Sequence, residues 1–316
     1  MESVKLALVL PCYNEEEVLP SSIQRLTLFY DDLVHSGVIT PDSRLVFVND
    51  GSKDKTWNII EDGFNSNHYV CGVNLAGNVG HQNAILAGMT VAKDLADVVV
   101  TIDADLQDDL NKIPEMLQKY HEGCDIVYGV KNDRKVDSWM KRTTAIIYYK
   151  MMKVLGVKSV YNHADFRMLS RRAIEEVCKY REKNLFLRGI IPLIGYKSDV
   201  VYEDLTEREA GHSKYTLKKM LTLAADGVTS FSIKPVRFIL LLGVIFIFMS
   251  FVILIHVIIC HFQQKTVAGW SSIILSLWFI GGCILAGLGI IGEYVGKIYL
   301  EVKDRPRYNI ERTILQ

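Results

Sequence analysis

The sequence has no excess of charge of either sign and contains few cysteines. Its 36 lysine and arginine residues are balanced by 36 aspartate and glutamate residues. The chain therefore lacks the overall positive field with which nucleic-acid-binding proteins attract phosphates, and we expect no nucleic-acid partner. The six cysteines are scattered, and no pair has the spacing of metal ligands. This pattern argues against a disulfide framework or a zinc site and is typical of a reducing compartment.

The N-terminus lacks the features of a signal peptide. Its first apolar run, Val4–Leu10, is short, ends at Pro11 and leads into Asn14 and three glutamates. A signal peptide would instead carry a cleavage site of small residues after its apolar run. We therefore expect no cleaved leader.

Long apolar runs occur only near the C-terminus. They are Val236–Cys260 and Trp270–Ile291, and Arg237 is the only charged residue in them. Each run exceeds the roughly 20 apolar residues that cross a bilayer core. We therefore predict two transmembrane helices, with two long buried helices of a soluble protein as the alternative.

The basic residues around these runs predict their orientation. Lysines and arginines precede the first run and follow the second, whereas the linker His261–Gly269 carries only Lys265. Basic flanks usually stay in the cytosol, so we expect an integral membrane protein with both termini cytosolic. The predicted parts are a large cytosolic domain of residues 1–233, a two-helix transmembrane hairpin of residues 234–295 and a cytosolic tail of residues 296–316.

Apolar runs alternate with helix-like stretches in the first 131 residues. The strand candidates are Leu6–Leu10, Leu45–Val48, Val70–Leu75, Val98–Ile102 and Ile126–Val130. The helix candidates are Val18–His35, Thr56–Phe64, Gln82–Leu95 and Ile113–Glu122. Nearly continuous apolar strands that alternate with helices predict an α/β domain with a largely parallel, Rossmann-like sheet.

Beyond residue 131 this alternation is no longer visible. Ser138–Lys153 and Lys214–Ser232 mix lysine and arginine with aromatic and aliphatic residues. Such stretches form helices on a membrane surface or helices packed on the domain, and both interpretations stay open.

Polar clusters directly follow the three best strand candidates. They are residues 11–15 (PCYNE), 49–52 (NDGS) and 103–107 (DADLQ). Ligands of open parallel sheets bind beyond the carboxyl ends of the strands. Three clusters at such ends therefore predict a binding site there.

Asp103 and Asp105 flank one small residue at a strand end. Two carboxylates so spaced can converge on Mg²⁺ or Mn²⁺, which keeps positions open for diphosphate oxygens. The metal would offset the charge on a departing nucleoside diphosphate. A solvated acidic turn is the alternative.

Three other positions have two interpretations each. Asp50 precedes Gly51 and forms either a turn or a contact to a nucleotide base. His81 is more often a structural histidine than a catalytic base, and we leave it out of the predicted site. The segment from Arg208 to Tyr215 suits phosphate binding, or it is a solvated loop with a helix cap at Ser213.

Together these motifs resemble the family 2 glycosyltransferases of the GT-A fold, and within them the polyprenyl-phosphate hexose synthases. That group includes dolichyl-phosphate mannose synthases and bacterial bactoprenol glucosyltransferases. The resemblance runs over nearly the whole chain. Besides the strand-end clusters, its motifs are NVGHQNA (78–84), DADLQDD (103–109), SWMKR (138–142), ADFRMLSR (164–171), REAGHSKY (208–215) and GEYVGKIYLEVKDRPRY (292–308).

The resemblance implies a role for each matching position. The residues that would line the nucleotide are Pro11, Tyr13, Glu15, Asp50 and Asp103. Those that would hold Mg²⁺ or Mn²⁺ are Asp103, Asp105 and Gln107, and the catalytic residues would be Asp105 and Asp165. Phosphates of the donor or the lipid would bind Arg134, Arg142, Arg208, Ser213 and Lys214.

The implied activity is inverting transfer of one hexose from a nucleotide diphosphate-sugar, expected to be a UDP-sugar, to polyprenyl phosphate. The partners would be the donor, the lipid and the membrane, with a homo-oligomer left open. A processive polysaccharide synthase is the alternative enzyme, but such synthases have several spans and commonly a Q-x-x-R-W motif, which this sequence lacks. A membrane-tethered nucleotide-sugar sensor is the non-enzymatic alternative.

Overall fold

The computed structural model describes residues 3–131, 163–183, 185–203 and 269–316, with four further residues between 236 and 245. The chain divides into two compact units. The first comprises residues 1–150, 158–215 and 304–316, and the second comprises residues 151–157 and 216–303.

Within the described residues, eight strands form one sheet in the first unit. They are β1 (Leu6–Cys12), β2 (Arg44–Asn49), β3 (Val70–Leu75), β4 (Val98–Thr101), β5 (Ile126–Lys131), β6 (His163–Ser170), β7 (Ser198–Glu203) and β8 (Ile310–Ile314). Their order is β7-β5-β6-β4-β1-β2-β3-β8. β1 runs parallel to β2 and β4, β2 to β3 and β5 to β7, whereas β6 and β8 are antiparallel to their neighbours. The predicted α/β fold with a mostly parallel sheet is confirmed.

Helices cover both faces of this sheet. They are α1 (Leu19–His35), α2 (Thr56–Ser66), α3 (His81–Ala92), α4 (Ile113–His121), α5 (Arg171–Lys179) and the short α6 (Leu187–Ile190). Side chains alternate along β1, so Leu8 packs with α1, α2 and α4 on one face and Val9 packs with α3 and α5 on the other. Burial on both faces explains why the central strands read as continuous apolar runs.

Helix α3 approaches the sheet more closely than a side chain would allow. A Cβ atom at Gly88 would lie 2.4 Å from Val9 Cγ1 and 2.7 Å from Val48 Cγ2. Glycine at this position lets the helix axis lie close to β1 and β2. The N-terminus of α3 is thereby held near the ends of those strands.

The sequence located most of the first half of the fold. Val70–Leu75 is predicted with its observed bounds, and the other predicted strands and helices differ from the observed ones by at most three residues at an end. Beyond residue 131, where the sequence shows no alternation, the structure adds β6, α5 and β7. β6 was missed because it contains Asp165 and Arg167, charged residues that strands of a buried sheet rarely carry.

The last residues of the chain return to the sheet. β8 pairs antiparallel with β3, with Ile314 opposite Gly72. The predicted cytosolic tail of residues 296–316 begins within the helix that ends at Val302 and includes the edge strand β8, and its cytosolic location stays a prediction. Only Ile314 of β8 is buried, so the strand carries little of the apolar pattern that identifies a strand in sequence.

A long helix, α7 (Trp270–Val302), lies in the second unit. In the part of the chain that is described, it holds the one segment long and apolar enough to cross a membrane, Phe279–Val302, with a mean hydropathy of 1.6 and 6% of its residues buried. This segment overlaps the second predicted span, Trp270–Ile291. The first predicted span and the two predicted surface helices lie outside the described residues, apart from four positions, so the pair of transmembrane helices stays a prediction.

Candidate active site

The three polar clusters predicted at strand ends lie at one edge of the sheet. β1 lies between β2 and β4 and runs parallel to both, with Cys12 opposite Asn49 and Val9 opposite Thr101. The loops that follow these strands therefore leave the sheet side by side. This arrangement is the one from which a ligand site was predicted.

The loop after β1 is tied to the loop after β2. The backbone amide of Asn14 donates to Ser52 Oγ at 3.0 Å, and the amide of Lys53 donates to Asn14 Oδ1 at 2.9 Å. Asn14 has a φ of 55°, a left-handed conformation that asparagine tolerates better than most residues. The side chain and the backbone of one residue thus hold the two loops in register.

Three predicted nucleotide contacts lie in the first of these loops. Pro11 is half-buried at the end of β1, and Tyr13 is 44% exposed. The amide of Glu15 donates to Thr56 Oγ1 at 2.9 Å, which fixes the backbone between the two loops. The three residues therefore lie at the predicted edge, and their contact with a nucleotide stays a prediction.

Asp50 is buried and holds a third loop in place. One carboxylate oxygen accepts from the amide of Val79 at 2.7 Å, and the other accepts from the amide of Gly80 at 3.1 Å. Burial raises the pKa of Asp50, and these two amides act in the opposite direction. The next residue, Gly51, has a φ of 64°, and a Cβ there would lie 2.5 Å from the backbone nitrogen of Asn78. The NDGS motif therefore joins β2 to the loop before α3, while the predicted contact of Asp50 with a base remains untested.

Asp50→Ala should destabilise the fold in the absence of any nucleotide. The change leaves the half-buried amides of Val79 and Gly80 without their acceptor, so each should cost near the lower end of the about 1–3 kcal/mol of a buried unsatisfied group. Asp50→Asn keeps one acceptor oxygen, so it should lose about half as much. Urea unfolding of the nucleotide-free protein measures both, with Asp42→Ala on an exposed loop as the control. A normal unfolding curve for Asp50→Ala, together with a raised KM for the donor, would instead support the contact with the base.

The acidic loop after β4 is anchored by its apolar residues. Ala104 and Leu106 are buried in the core, whereas the alternating residues Asp103 and Asp105 are exposed. The buried hydroxyl of Ser22 on α1 donates to the carbonyl oxygen of Ala104 at 2.7 Å. This alternation directs both carboxylates away from the core.

Negative charge is concentrated around Asp103. Desolvation by the surrounding protein raises the pKa of Asp103 to about 6; the nearby His81 lowers it, and Asp108, Asp165 and Asp105 raise it further. Carboxylates that repel one another in this way favour a bound cation. The cluster therefore fits a divalent metal electrostatically.

The donor set also fits such a metal. Asp103 and Asp105 offer the hard oxygen ligands that Mg²⁺ and Mn²⁺ prefer, and the Gln107 side-chain amide donates to Asp105. Among the described residues, no group of three or more His, Cys, Asp or Glu side chains could hold an ion without help. A metal here would therefore complete its coordination with substrate or water oxygens, as Mg²⁺ commonly does in phosphate-handling sites.

Asp165 on β6 lies at the centre of a charged cluster beside the acidic loop. Its Oδ1 accepts from Arg167 Nη2, and its Oδ2 accepts from Arg188 Nη2 at 3.0 Å. Gln82 Nε2 lies 3.4 Å from Oδ1. His81 Nε2 lies 3.4 Å from Asp165 Oδ2 and 3.6 Å from Asp103 Oδ1, so the imidazole joins the two carboxylates.

The cluster keeps Asp165 ionised. Burial raises the pKa of Asp165, but the charge of Arg167 and the hydrogen bonds from His81 and Arg188 outweigh it and hold this pKa well below its usual range. Burial also favours the neutral imidazole, but the hydrogen bond to Asp165 and the charge of Asp103 raise the pKa of His81. A carboxylate held in this state is a strong hydrogen-bond acceptor and a weak base.

Five residues of this site were given no role from the sequence: Ser22, His81, Gln82, Arg167 and Arg188. Gln82 and Arg167 lie in the NVGHQNA and ADFRMLSR motifs without an assigned role, Ser22 and Arg188 lie in no motif, and His81 was set aside as structural. Gln82 accepts from the amide of Leu187 at 3.2 Å while its nitrogen faces Asp165. The available signal was that His81 and Gln82 open a helix directly after a strand-end loop, where side chains reach a ligand.

Five predicted phosphate-binding residues lie outside the described residues. They are Arg134, Arg142, Arg208, Ser213 and Lys214. The site as described therefore contains the acidic loop, the Asp165 cluster and the two loops after β1 and β2.

Comparison with known proteins agrees with this geometry. Residues 7–178 match the family model for glycosyl transferase family 2. The chain is 52% identical over 306 residues to the uncharacterized glycosyltransferase YkoT of Bacillus subtilis (strain 168), covering 97% of this chain and 91% of the relative. It is 38% identical over 311 residues to the bactoprenol glucosyl transferase of Shigella phage SfX, covering 98% and 99% of the two chains.

Solved structures with a similar arrangement include glucosyl-3-phosphoglycerate synthase from Mycobacterium tuberculosis. The TM-score is 0.45 at 16% identity, covering 72% of this chain and 78% of that one. The family match and the near full-length relatives are independent of this likeness. The chain belongs to glycosyl transferase family 2.

Proposed function

We propose that this protein transfers a single hexose from a UDP-sugar to polyprenyl phosphate at the cytosolic face of the bacterial membrane. Near full-length similarity to bactoprenol glucosyl transferases supports the lipid acceptor. The observation that carries the proposal is the pair of carboxylates joined by His81, because it places an acidic loop suited to a leaving diphosphate next to Asp165.

The transfer is one in-line displacement at the anomeric carbon, with inversion. The acceptor is a phosphate monoester whose second pKa is about 6, so it is largely dianionic at neutral pH and needs no strong base. Asp165 is held ionised by Arg167 and Arg188. We therefore assign Asp165 to orientation of the sugar, with catalysis coming from positioning and from charge neutralisation at the leaving group.

Asp103 and Asp105, with Gln107, are the residues that would hold a divalent metal. When bound, Mg²⁺ or Mn²⁺ supplies positive charge opposite the diphosphate of the leaving group. The protein itself fixes the loop, since Ser22 and the buried side chains of Ala104 and Leu106 set the direction of both carboxylates.

The lipid phosphate is assigned to basic residues near the membrane. Isoprenoid tails hold that phosphate at the headgroup plane, so residues close to the bilayer must meet it. We assign Arg134 and Arg142 to the lipid phosphate and Arg208, Ser213 and Lys214 to phosphates of either substrate. The catalytic domain and both termini then lie in the cytosol, where the positive-inside pattern places them.

A transfer assay with the full-length protein tests the proposal. A panel of labelled nucleotide sugars is incubated with undecaprenyl phosphate and Mg²⁺ or Mn²⁺, and the product is partitioned between organic solvent, water and insoluble material. We expect organic-extractable product carrying one sugar per lipid, with the UDP-sugars most active. Insoluble polymer would indicate a processive synthase, and donor binding without any product would indicate a nucleotide-sugar sensor.

A further inference from the structure

A second cavity, away from the acidic loop, carries an excess of positive charge. It has a volume of about 350 Å³, and its uncharged wall includes Leu86 and Thr90 of α3. Its charged lining consists of Arg181, Lys183, Asp304, Arg305 and Arg307. Among the described residues that line the cavity, four cationic side chains and one carboxylate give a net charge of plus three. Like charges gathered in so small a volume repel one another unless an anion neutralises them.

The cavity is built from two segments that are far apart in sequence. Lys183 Nζ donates to Asp304 Oδ1 at 3.3 Å and also to the carbonyl oxygen of Arg305, more than 120 residues away. Arg307 Nη2 donates to the carbonyl oxygen of Tyr180. Basic residues whose only role was to neutralise the negative end of the α7 dipole would not need to contact residues 180–183. The two segments therefore form a preorganised cation cluster.

The backbone around the cluster is also fixed. Asp304 has a φ of 41°, so the chain turns sharply after α7 ends at Val302. Tyr308 Oη donates to Thr90 Oγ1 at 3.0 Å, which ties the segment to α3. The turn and this hydrogen bond fix the position of the segment from Asp304 to Tyr308. The side chain of Arg181 is less constrained, because it is 84% exposed and its Nη1 lies 3.9 Å from Asp304 Oδ2.

Chain connectivity places this cavity near the predicted membrane surface. The candidate span Phe279–Val302 has 24 residues, about 36 Å as a helix, which exceeds a hydrocarbon core of about 30 Å. Glu293, Lys297 and Glu301 lie in its last ten residues, so this end of the segment belongs at the headgroups. Arg305 follows the end of that segment by three residues, a reach of about 10 Å in an extended chain. If α7 spans the bilayer, chain connectivity keeps Arg305 near the lipid headgroups.

We propose that this cavity binds the phosphate of an anionic phospholipid headgroup. The arginine guanidinium groups match a phosphodiester geometrically, and basic clusters next to a transmembrane segment attract anionic lipids. The proposal rests on the membrane placement in the proposed function, but it does not depend on the transfer reaction. The bound lipid would anchor the end of α7 to the sheet domain at the membrane surface.

Lipid binding by the full-length protein in detergent tests this site. The protein is titrated with phosphatidylglycerol and with phosphatidylcholine of the same chain length at low salt, and the bound lipid is counted by native mass spectrometry. We expect phosphatidylglycerol to bind at least about tenfold more tightly. The double variant Arg181→Gln/Arg305→Gln should bind phosphatidylglycerol about tenfold more weakly than the wild type does. The control Arg25→Gln/Lys112→Gln has the same change in net charge outside the cavity and should bind as the wild type does.

Three outcomes would overturn the site. Equal affinity for the two lipids would show that the cavity does not select an anionic headgroup. Equal competition by millimolar inorganic phosphate would indicate a site for free phosphate. A raised KM for polyprenyl phosphate in phosphatidylcholine vesicles, seen in the double variant only, would assign the cavity to the acceptor. Lipid selectivity without any transfer by the wild type would contradict the proposed function and leave this site standing.

Discussion

Replacing Asp105 with asparagine should lower the rate of sugar transfer by about 10²–10³-fold, the loss typical when a group that stabilises developing charge is removed. Asp103→Asn should have an effect of the same order. Each change removes one anionic oxygen from a loop whose carboxylates crowd together, and in the proposed function that loop binds the metal opposite the departing diphosphate. The loop itself should persist, because Ala104, Leu106 and the hydrogen bond from Ser22 hold it.

Initial rates of formation of organic-extractable labelled lipid measure this effect at several concentrations of Mg²⁺ and Mn²⁺. Binding of Mn²⁺ to the enzyme with UDP, followed by electron paramagnetic resonance, should weaken in parallel. Asp42→Asn is the matched control, since Asp42 is exposed in the loop before β2, at the opposite edge of the sheet. Near wild-type transfer by Asp105→Asn, with unchanged Mn²⁺ binding, would refute the metal assignment.

Asp165→Asn should lower kcat by about a hundredfold, a loss at the lower end of what positioned polar groups contribute. The amide keeps one oxygen for Arg167 but loses the charge that holds Arg188 and His81 in place. Arg188→Gln removes a partner that is 38% exposed, so it should reduce kcat with a smaller loss of thermal stability than Asp165→Asn. Arg25→Gln on the exposed face of α1 controls for loss of an arginine.

The pH dependence of kcat separates orientation from base catalysis. The pKa of Asp165 lies well below its usual range in the folded protein, so this carboxylate stays ionised between about pH 5.5 and 8. Any acid limb in that window then belongs to another group and should be retained in Asp165→Asn. The limb should persist in the variant but move to lower pH, because Asp165 raises the pKa of both Asp103 and His81. Loss of the acid limb in the variant would identify Asp165 as the general base.

The same depressed pKa has a consequence for stability. A carboxylate with a folded pKa below its unfolded value stabilises the protein above the unfolded value, and this contribution is lost as the pH falls through the folded one. Asp165 should therefore contribute fully at neutral pH and through the acidic range down to about pH 4. The thermal stability of the wild type relative to Asp165→Asn should fall only below that pH.

The sequence by itself determined the α/β class, the first five strands and the edge at which the site lies. Strands buried on both faces read as apolar runs, and Asn, Asp and Gly end them, so neighbours in sequence carry this information. The acidic loop could be located because Asp103 and Asp105 directly follow such a run. These features depend on residues within a few positions of one another.

Tertiary structure decided which distant residues meet. His81, Arg188 and Asp165 belong to different elements, and their contact results from the packing of α3 against the sheet and from the antiparallel insertion of β6. β6 is hidden in the sequence because its charges are neutralised only by partners more than twenty residues away or by each other. β8 is hidden because an edge strand with a single buried residue, Ile314, shows no apolar alternation, and its pairing with β3 and the ion pair of Arg312 with Glu61 join distant parts of the chain. Local patterns record burial and turns, whereas charge pairing across the fold appears only once the chain has packed.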